Sequence, residues 1–127
     1  MMAVDTSALM AIVLDEPEAD ACSAAIEAAD VLVISAGTIA EALIVSACRN
    51  VGEEMGALIQ GLGFDIANVT PASARRIAEA YGKWGKGVHT ASLNFGDCFA
   101  YEVAKENACS LLYVGNDFRK TDIESVL

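Results

Sequence analysis

The sequence predicts an α/β fold with a mainly parallel central sheet. Short apolar runs alternate along the chain with longer segments that begin at helix-capping residues. Such alternation requires crossover connections, which join parallel strands with a right-handed turn. The carboxyl ends of the strands then share one edge of the sheet, where ligands bind in folds of this kind.

Five apolar runs are predicted to be strands. The most distinct is Val-Leu-Val-Ile at residues 31–34, a continuous β-branched run typical of a strand covered on both faces. The predicted strands are residues 2–4, 31–34, 64–69, 111–114 and 123–126.

Six helices are predicted between these strands. Thr70 and Pro71 suit the N-cap and first position of one helix, and Asn94 suits the N-cap of another. Pro17 fits the first turn of the helix that follows it. Five of the predicted helices are residues 6–14, 18–28, 52–62, 71–84 and 95–107. The sixth follows Ser35, carries Glu41 and runs to about residue 49. A loop rich in Gly, Lys and His covers residues 82–94.

Length and composition indicate one domain with a sizeable core. The chain has 127 residues, 54% of them apolar, and we expect residues 1–127 to form a single unit. Charged residues interrupt every long apolar stretch, so no membrane span is predicted. No secretory signal is expected either, because Asp5 lies where a basic leader and its apolar core would begin. We therefore expect a cytoplasmic protein without membrane partners.

Charge and cysteine usage speak against several kinds of site. Four cysteines without a C-x-x-C pair, together with a single histidine, disfavour a zinc site. A net charge of −10 disfavours nucleic-acid binding through bulk charge. It leaves room for a nucleic-acid enzyme, since a bound metal ion offsets its acidic ligands and local basic loops can hold phosphates. No glycine-rich nucleotide motif occurs, so no nucleotide cofactor is expected.

Four acidic residues interrupt apolar surroundings, namely Asp5, Glu41, Asp97 and Asp117. Two follow predicted strands and two lie on predicted helices near the same edge of the sheet. Carboxylates in apolar surroundings cost free energy unless a positive group satisfies them. Converging carboxylates suit Mg²⁺ or Mn²⁺, which prefer oxygen ligands. The expected reaction is hydrolysis of a phosphodiester by a water that the metal ion activates.

Each of these residues also has a purely structural interpretation. Asp5 could cap the helix after it, Asp97 could complement a helix dipole, and Asp117 could be a turn residue. Glu41 is the hardest to explain in this way, because an apolar helix buried on most sides would offer it no solvent. The joint placement at one sheet edge favours the metal site.

Several segments resemble those of PIN-domain ribonucleases, and most closely the VapC toxins of toxin–antitoxin pairs. They are Val-Asp-Thr-Ser-Ala-Leu at 4–9, the helix with Glu41, Asn-Phe-Gly-Asp-Cys-Phe-Ala-Tyr at 94–101, and Gly-Asn-Asp-Phe at 115–118 followed by Thr-Asp-Ile at 121–123. The likeness covers essentially the whole chain. It implies a three-layer α/β/α sandwich and a Mg²⁺- or Mn²⁺-dependent endoribonuclease. It also implies an RNA substrate of the tRNA or rRNA class and a cognate VapB-like antitoxin that neutralises the enzyme.

The resemblance also assigns roles to residues. Asp5, Glu41 and Asp97 match the acidic triad of the family. Thr6 or Ser7 is expected to support Asp5 or a water on the metal ion.

The fourth acidic position of the family is left open. Many relatives carry an acidic residue where this chain has Gly115. Asp117 or Asp122 is expected to take that role.

The loop rich in Gly, Lys and His has two interpretations. Lys83, Lys86 and His89 could contact RNA phosphates while Trp84 or Tyr81 stacks on an unpaired base. Alternatively, the loop is a mobile, solubilising segment with Trp84 packed against the core. A role for His89 as a metal ligand is not expected, because hard divalent ions prefer oxygen.

Two helical segments, residues 8–14 and 40–45, are more apolar than one small core requires. Part of their surface could line a groove for an antitoxin helix or form a homodimer interface.

Two other functions fit part of the pattern. One is a non-catalytic PIN-like interaction module, but idle carboxylates would repel one another at short range. The other is a Mg²⁺-dependent phosphoacceptor receiver domain, which needs adjacent acidic residues after the first strand, where Asp5 stands alone.

Overall fold

The computed structural model describes all of residues 1–127 and has a four-stranded, fully parallel sheet at its centre. Strand β1 (Met2–Val4) is central, and β2 (Leu32–Ser35) and β3 (Asp65–Ala67) lie in turn on one side of it. Strand β4 (Ser110–Leu112) pairs with β1 on the other side, with Val4 opposite Leu112. The strand order is therefore β3-β2-β1-β4.

Six helices cover the two faces of this sheet. Alternate residues of each strand point to opposite faces, so Ala3 and Val33 pack in one core cluster while Val4 and Ile34 pack in another. The result confirms the predicted three-layer α/β/α sandwich. The helices are α1 (Thr6–Val13), α2 (Ala19–Ala28), α3 (Ala36–Cys48), α4 (Gly52–Gly61), α5 (Pro71–Trp84) and α6 (Phe95–Glu106).

The two cores belong to different helices. Helices α5 and α6 supply the cluster that contains Ala3, through residues such as Ile77 and Val103. Helices α1 to α4 supply the cluster that contains Val4, through residues such as Leu9 and Met55. No helix is both long enough and apolar enough to cross a membrane.

The helix boundaries follow from capping chemistry. The Thr70 hydroxyl accepts a hydrogen bond from the Ser73 N–H at 3.1 Å, and Pro71 occupies the first position of α5, as predicted. The Ser35 hydroxyl caps α3 by accepting from the Gly37 N–H at 3.1 Å. These side chains satisfy N–H groups that have no partner within the helix.

Two local predictions are wrong. Pro17 precedes the N-cap of α2, which is Glu18, so it lies outside the first turn. Residues 123–126 form only an isolated bridge between Ser125 and Leu111. A single bridge of this kind lacks the repeated ladder that makes a strand.

Candidate active site

Asp5 lies between β1 and α1, at the carboxyl end of the central strand. It caps α1 and is only 3% exposed. The backbone N–H and the hydroxyl of Ser7 both donate to Asp5 Oδ2, at 3.0 and 2.6 Å. The same hydroxyl accepts a hydrogen bond from the Val114 N–H at 3.0 Å. Ser7 thus fixes Asp5 relative to the chain that leaves β4.

Glu41 lies on α3 and is held by α1. The Thr6 hydroxyl donates to Glu41 Oε1 at 2.6 Å. Glu41 is half-buried, and beyond the buried Ala42 the apolar residues 43–45 of α3 are exposed, Ile44 by 65%. The prediction that this helix is buried on most sides is therefore wrong. Glu41 is the hydrogen-bond acceptor of the Thr6 hydroxyl and lies at the edge of an exposed apolar face.

Asp97 lies in the first turn of α6 and is 7% exposed. It forms a capping box with Asn94: the Asn94 N–H donates to Asp97 Oδ2 at 3.0 Å, and the Asp97 N–H donates to Asn94 Oδ1 at 2.8 Å. The structural interpretation of Asp97 as an acidic residue that complements the dipole of α6 fits its place in the first turn. It does not account for the second oxygen, Oδ1, which has no part in the box.

The three carboxylates share one pattern. Each is held through one oxygen, by Ser7, Thr6 or the Asn94 backbone, while its other oxygen accepts no hydrogen bond. The free oxygen of Asp5, Oδ1, is fully buried and unpartnered. A buried acceptor without a donor costs free energy, so the arrangement is incomplete without a positive group.

The electrostatics of the site follow from burial and from proximity of like charges. Burial raises the pKa of Asp5 to about 6, against the hydrogen bonds from Ser7, and the charge of Glu41 raises it further. Burial likewise raises the pKa of Asp97 to about 7, and the charges of Asp5, Asp117 and Glu41 add to this effect. The other three carboxylates of the predicted constellation, Asp5, Glu41 and Asp117, are thus close enough for their charges to act on Asp97.

The two candidates for the fourth acidic position lie in different surroundings. Asp117 is exposed and is among the charges that act on Asp97. Asp122 instead accepts hydrogen bonds from the Tyr101 hydroxyl at 2.7 Å and from Lys105 Nζ at 3.1 Å. Although burial opposes it, these two donors hold the pKa of Asp122 below its usual value. Asp122 already has a positive partner, and Asp117 has none.

The donor set of this site fits a hard divalent cation. Its free groups are carboxylate oxygens, the ligands that Mg²⁺ and Mn²⁺ prefer, and the buried free oxygen of Asp5 faces no donor of the protein. No three acidic, histidine or cysteine side chains already stand close enough together to enclose an ion.

The predicted RNA-contact residues lie around a folded loop at the end of α5. Lys83 lies in the last turn of the helix with its Nζ 5.0 Å from the Trp84 ring centroid. The Trp84 indole is partly buried and donates to the Tyr101 hydroxyl at 3.0 Å. His89 packs edge-on against Trp84, with 4.8 Å between ring centroids. Trp84 thus packs against the core, as one of the two interpretations predicted, and is not free to stack on a base.

Lys86 differs from the other two cationic candidates. It lines an apolar groove of about 670 Å³ that also reaches Phe95, in the same helical turn as Asp97. Phe95 is 68% exposed. Of the three, Lys86 therefore lies beside residues that flank the acidic site.

Sequence reasoning did not single out Gly96 or Thr38. A Cβ atom built on Gly96 would overlap the Glu41 carboxylate. The Thr38 hydroxyl is buried without a partner, and its carbonyl lies 3.5 Å from the Thr6 hydroxyl. A glycine in the first turn of a capped helix is a signal that could have identified Gly96; nothing in the sequence marks Thr38.

Comparison with known proteins gives the family. The model of the PIN domain matches residues 2–124. Ribonuclease VapC30 of Mycobacterium tuberculosis is 38% identical over 128 residues, which cover 98% of each chain. Ribonuclease VapC36 of the same species is 41% identical over 128 residues, covering 97% of this chain and 91% of the relative.

Solved structures share the fold at low sequence identity. The Mycobacterium tuberculosis toxin VapC20, described as cleaving the sarcin-ricin loop, superposes with a TM-score of 0.80 at 14% identity, covering 97% of this chain and 96% of the other. A toxin–antitoxin complex from Klebsiella pneumoniae gives a TM-score of 0.72 at 19% identity, covering 100% and 97%. Enzymes of the PIN-domain ribonuclease type generally depend on a divalent metal ion. With its full-length match to the domain and to curated relatives, the chain belongs to the PIN-domain family, among the VapC ribonucleases.

Proposed function

We propose that this protein is the toxic component of a type II toxin–antitoxin pair and hydrolyses RNA phosphodiester bonds. The observation that carries the proposal is the set of three carboxylates that each leave one oxygen unpartnered, with no cationic side chain among them. The names of the relatives, ribonucleases of the VapC type, support the same activity. We take residues 1–127 as a single PIN domain that acts in the cytoplasm, where RNA is available.

Asp5, Asp97 and Glu41 are proposed to hold the cation, which we take to be Mg²⁺ or Mn²⁺, and Asp117 to complete the catalytic set. The cation would lower the pKa of a bound water and neutralise charge on the leaving oxygen. Ser7 and Thr6 orient the carboxylates through the hydrogen bonds already described. Burial excludes water from the free oxygen of Asp5, which strengthens its attraction for a cation.

A calorimetric Mn²⁺ titration of the wild-type protein and of Asp97→Asn tests this proposal. The variant keeps the capping box, because the amide oxygen can still accept from the Asn94 N–H. We expect at least a tenfold loss of affinity, matched by loss of RNA cleavage. Asp20→Asn is the control, since Asp20 is also an acidic residue in the first turn of a helix but is exposed. Equal affinity in all three proteins would refute the proposal.

We further propose that the RNA substrate belongs to the tRNA or rRNA class. Lys86 is the first candidate for phosphate contact because it lies beside Phe95 near the acidic site. Lys83 and His89 are secondary candidates because they are already engaged with Trp84. Mapping new RNA 5′ ends in cells after induction would identify the substrate, and Lys86→Ala should slow its cleavage more than Lys83→Ala.

The protein partner is proposed to be a small VapB-like antitoxin, with a second copy of the toxin as a further partner. Leu43, Ile44 and Val45 of α3 are exposed, and Ile44 and Val45 line a groove together with Phe95. This is a surface of the kind that proteins cover. Of the apolar residues at 8–14 that the sequence suggested, Ala8 and Leu9 are buried in the core, whereas Ile12, Val13 and Leu14 are only partly buried. Ile44→Asp should weaken co-purification with a small basic protein encoded directly upstream, and size-exclusion chromatography of the toxin alone would report the homodimer.

A further inference from the structure

Gly96 faces the carboxylate of Glu41 across the interface between α6 and α3. A Cβ atom built on Gly96 would overlap Glu41 Oε2 and Cδ, and would lie only 2.8 Å from Oε1. All three of these atoms are at the end of one flexible side chain. Any residue larger than glycine at this position therefore displaces the Glu41 carboxylate rather than the helix.

The backbone gives no other reason for a glycine here. The glycines with positive φ are Gly63, Gly87 and Gly115, so Gly96 has a conformation that other residues adopt. An alanine would even favour α6, because glycine is a poorer helix former. The three atoms nearest to a Cβ on Gly96 all belong to Glu41, so Glu41 accounts for the small size of this residue.

The other side of the Glu41 carboxylate is fixed by Thr6, whose hydroxyl donates at 2.6 Å. Between that hydroxyl and Gly96, the carboxylate lies against the first turn of α6. Helix N-terminal turns expose N–H groups and favour negative charge. The position of the Glu41 carboxylate is thus set by the hydrogen bond from Thr6, by the N-terminal turn of α6, and by the space that Gly96 leaves.

We propose that Gly96 is a positioning residue for the metal site, and that its lack of a side chain keeps the Glu41 carboxylate beside Asp97. This inference rests on the proposed nuclease site. It assigns to the glycine that precedes Asp97 a role distinct from helix capping. A substitution of Gly96 should therefore change the orientation of the Glu41 carboxylate and leave the stability of α6 intact.

The test is Mn²⁺ affinity of Gly96→Ala, measured by calorimetry beside its melting temperature in metal-free buffer. We expect affinity to fall at least tenfold, similar to the loss when a group that orients a ligand is removed. The melting temperature should stay the same or rise. Gly56→Ala is the matched control, because Gly56 is also a helical glycine but has no atom within 4 Å of its Cβ position. Its Mn²⁺ affinity should not change.

A double variant separates steric displacement from a general effect on α6. Glu41→Asp shortens the acid by one methylene and leaves room for a Cβ on residue 96. Gly96→Ala should then cause little further loss in the Glu41→Asp background, so that the two changes are not additive. If Gly96→Ala alone fails to fold, the double variant should recover the fold.

Several outcomes would overturn this inference. They are wild-type affinity in Gly96→Ala, fully additive losses in the double variant, and a failure of the double variant to recover a fold lost by the single one. If Gly96→Ala binds like wild type while Asp97→Asn does not, the proposed nuclease site stands and only the role of Gly96 fails. If wild-type protein binds no Mn²⁺, both fail.

Discussion

The two ends of helix α6 hold carboxylates in opposite electrostatic surroundings. At the N-terminal turn, Asp97 lies among other acidic residues, and none of the ion pairs in the structure includes Asp5, Glu41 or Asp97. Toward the C-terminal end, Arg76 Nε lies 3.3 Å from Glu102 Oε2 and 3.2 Å from Glu106 Oε2.

Burial raises the pKa of a carboxyl group at each end of α6. It raises the pKa of Asp97 and that of Glu102. Only Glu102 has a cation to offset this effect, since hydrogen bonding and attraction from Arg76 lower its pKa in turn. A buried carboxylate with a cationic partner is part of the scaffold, whereas a group of buried carboxylates without one is arranged for a ligand.

Asp5→Asn should give the largest change in activity, because it alters the carboxylates near the N-terminal turn of α6 that have no cationic partner. The amide oxygen can still accept both hydrogen bonds from Ser7, so the cap of α1 survives. RNA cleavage should fall by more than about 100-fold, beyond the roughly 10–100-fold expected for residues that only support a ligand. Thermal melting in EDTA should show equal or greater stability, because one like charge is removed. A sharp fall in the metal-free melting temperature would instead make Asp5 a structural residue.

The pH dependence of stability should differ between wild type and Asp97→Asn. The folded-state pKa values of Asp97 and Asp5, about 7 and about 6, exceed the ordinary value of 3.8. The folded protein therefore binds these protons more tightly than the unfolded chain, and stability declines as pH rises from about 4 to about 7. Asp97→Asn should reduce this decline by on the order of 4 kcal/mol, since the pKa of Asp97 is raised from 3.8 to about 7 and one pKa unit corresponds to about 1.4 kcal/mol.

Urea unfolding in EDTA across this pH range measures the decline. Adding Mn²⁺ should restore the stability of the wild-type protein at high pH, because a cation favours the ionised carboxylates. Parallel profiles for the two proteins in EDTA would contradict the assigned electrostatics.

Arg76→Met tests how much the ion pair with Glu102, toward the C-terminal end of α6, contributes to stability. Removal of the guanidinium leaves the Glu102 carboxylate, 8% exposed, without its partner. The free energy of unfolding should fall by roughly 1–2 kcal/mol, at the lower end for an unsatisfied buried group because Arg76 itself is partly exposed. Mn²⁺ affinity should stay at the wild-type value. Arg75→Met is the control, since Arg75 is exposed and forms no ion pair. A changed Mn²⁺ affinity would mean that the two ends of α6 are coupled.

The smallest changes in Mn²⁺ affinity and stability are expected for Asp117→Asn and Asp122→Asn, and these changes should distinguish the two residues. Asp122→Asn removes a half-exposed pair with Lys105, which should cost less than about 1 kcal/mol and leave Mn²⁺ affinity unchanged. Asp117→Asn should weaken Mn²⁺ binding about tenfold without loss of stability. The opposite result in a parallel titration would assign the fourth acidic position to Asp122.

Local signals were sufficient for most of the elements. The Val-Leu-Val-Ile run overlaps β2, and the capping residues Thr70 and Asn94 precede helices that begin at their predicted places. Ser35 caps the helix that follows it. The exceptions depend on partners distant in the sequence. Ser125 forms only one bridge, and β3 is shorter than the predicted residues 64–69 because β2, its one neighbour, pairs only with Asp65–Ala67.

The sequence by itself determined the fold class, because capping residues and apolar periodicity act within a few residues of the chain. It also determined which carboxylates are unusual, since acidic residues in apolar runs can be read directly from the order of residues. Only the tertiary structure decided how each carboxylate is held. The contacts of Ser7 with Val114, Thr6 with Glu41, and Glu41 with Gly96 join segments between 35 and 107 residues apart. No local pattern encodes such contacts, because they exist only once the sheet has brought those segments to one edge.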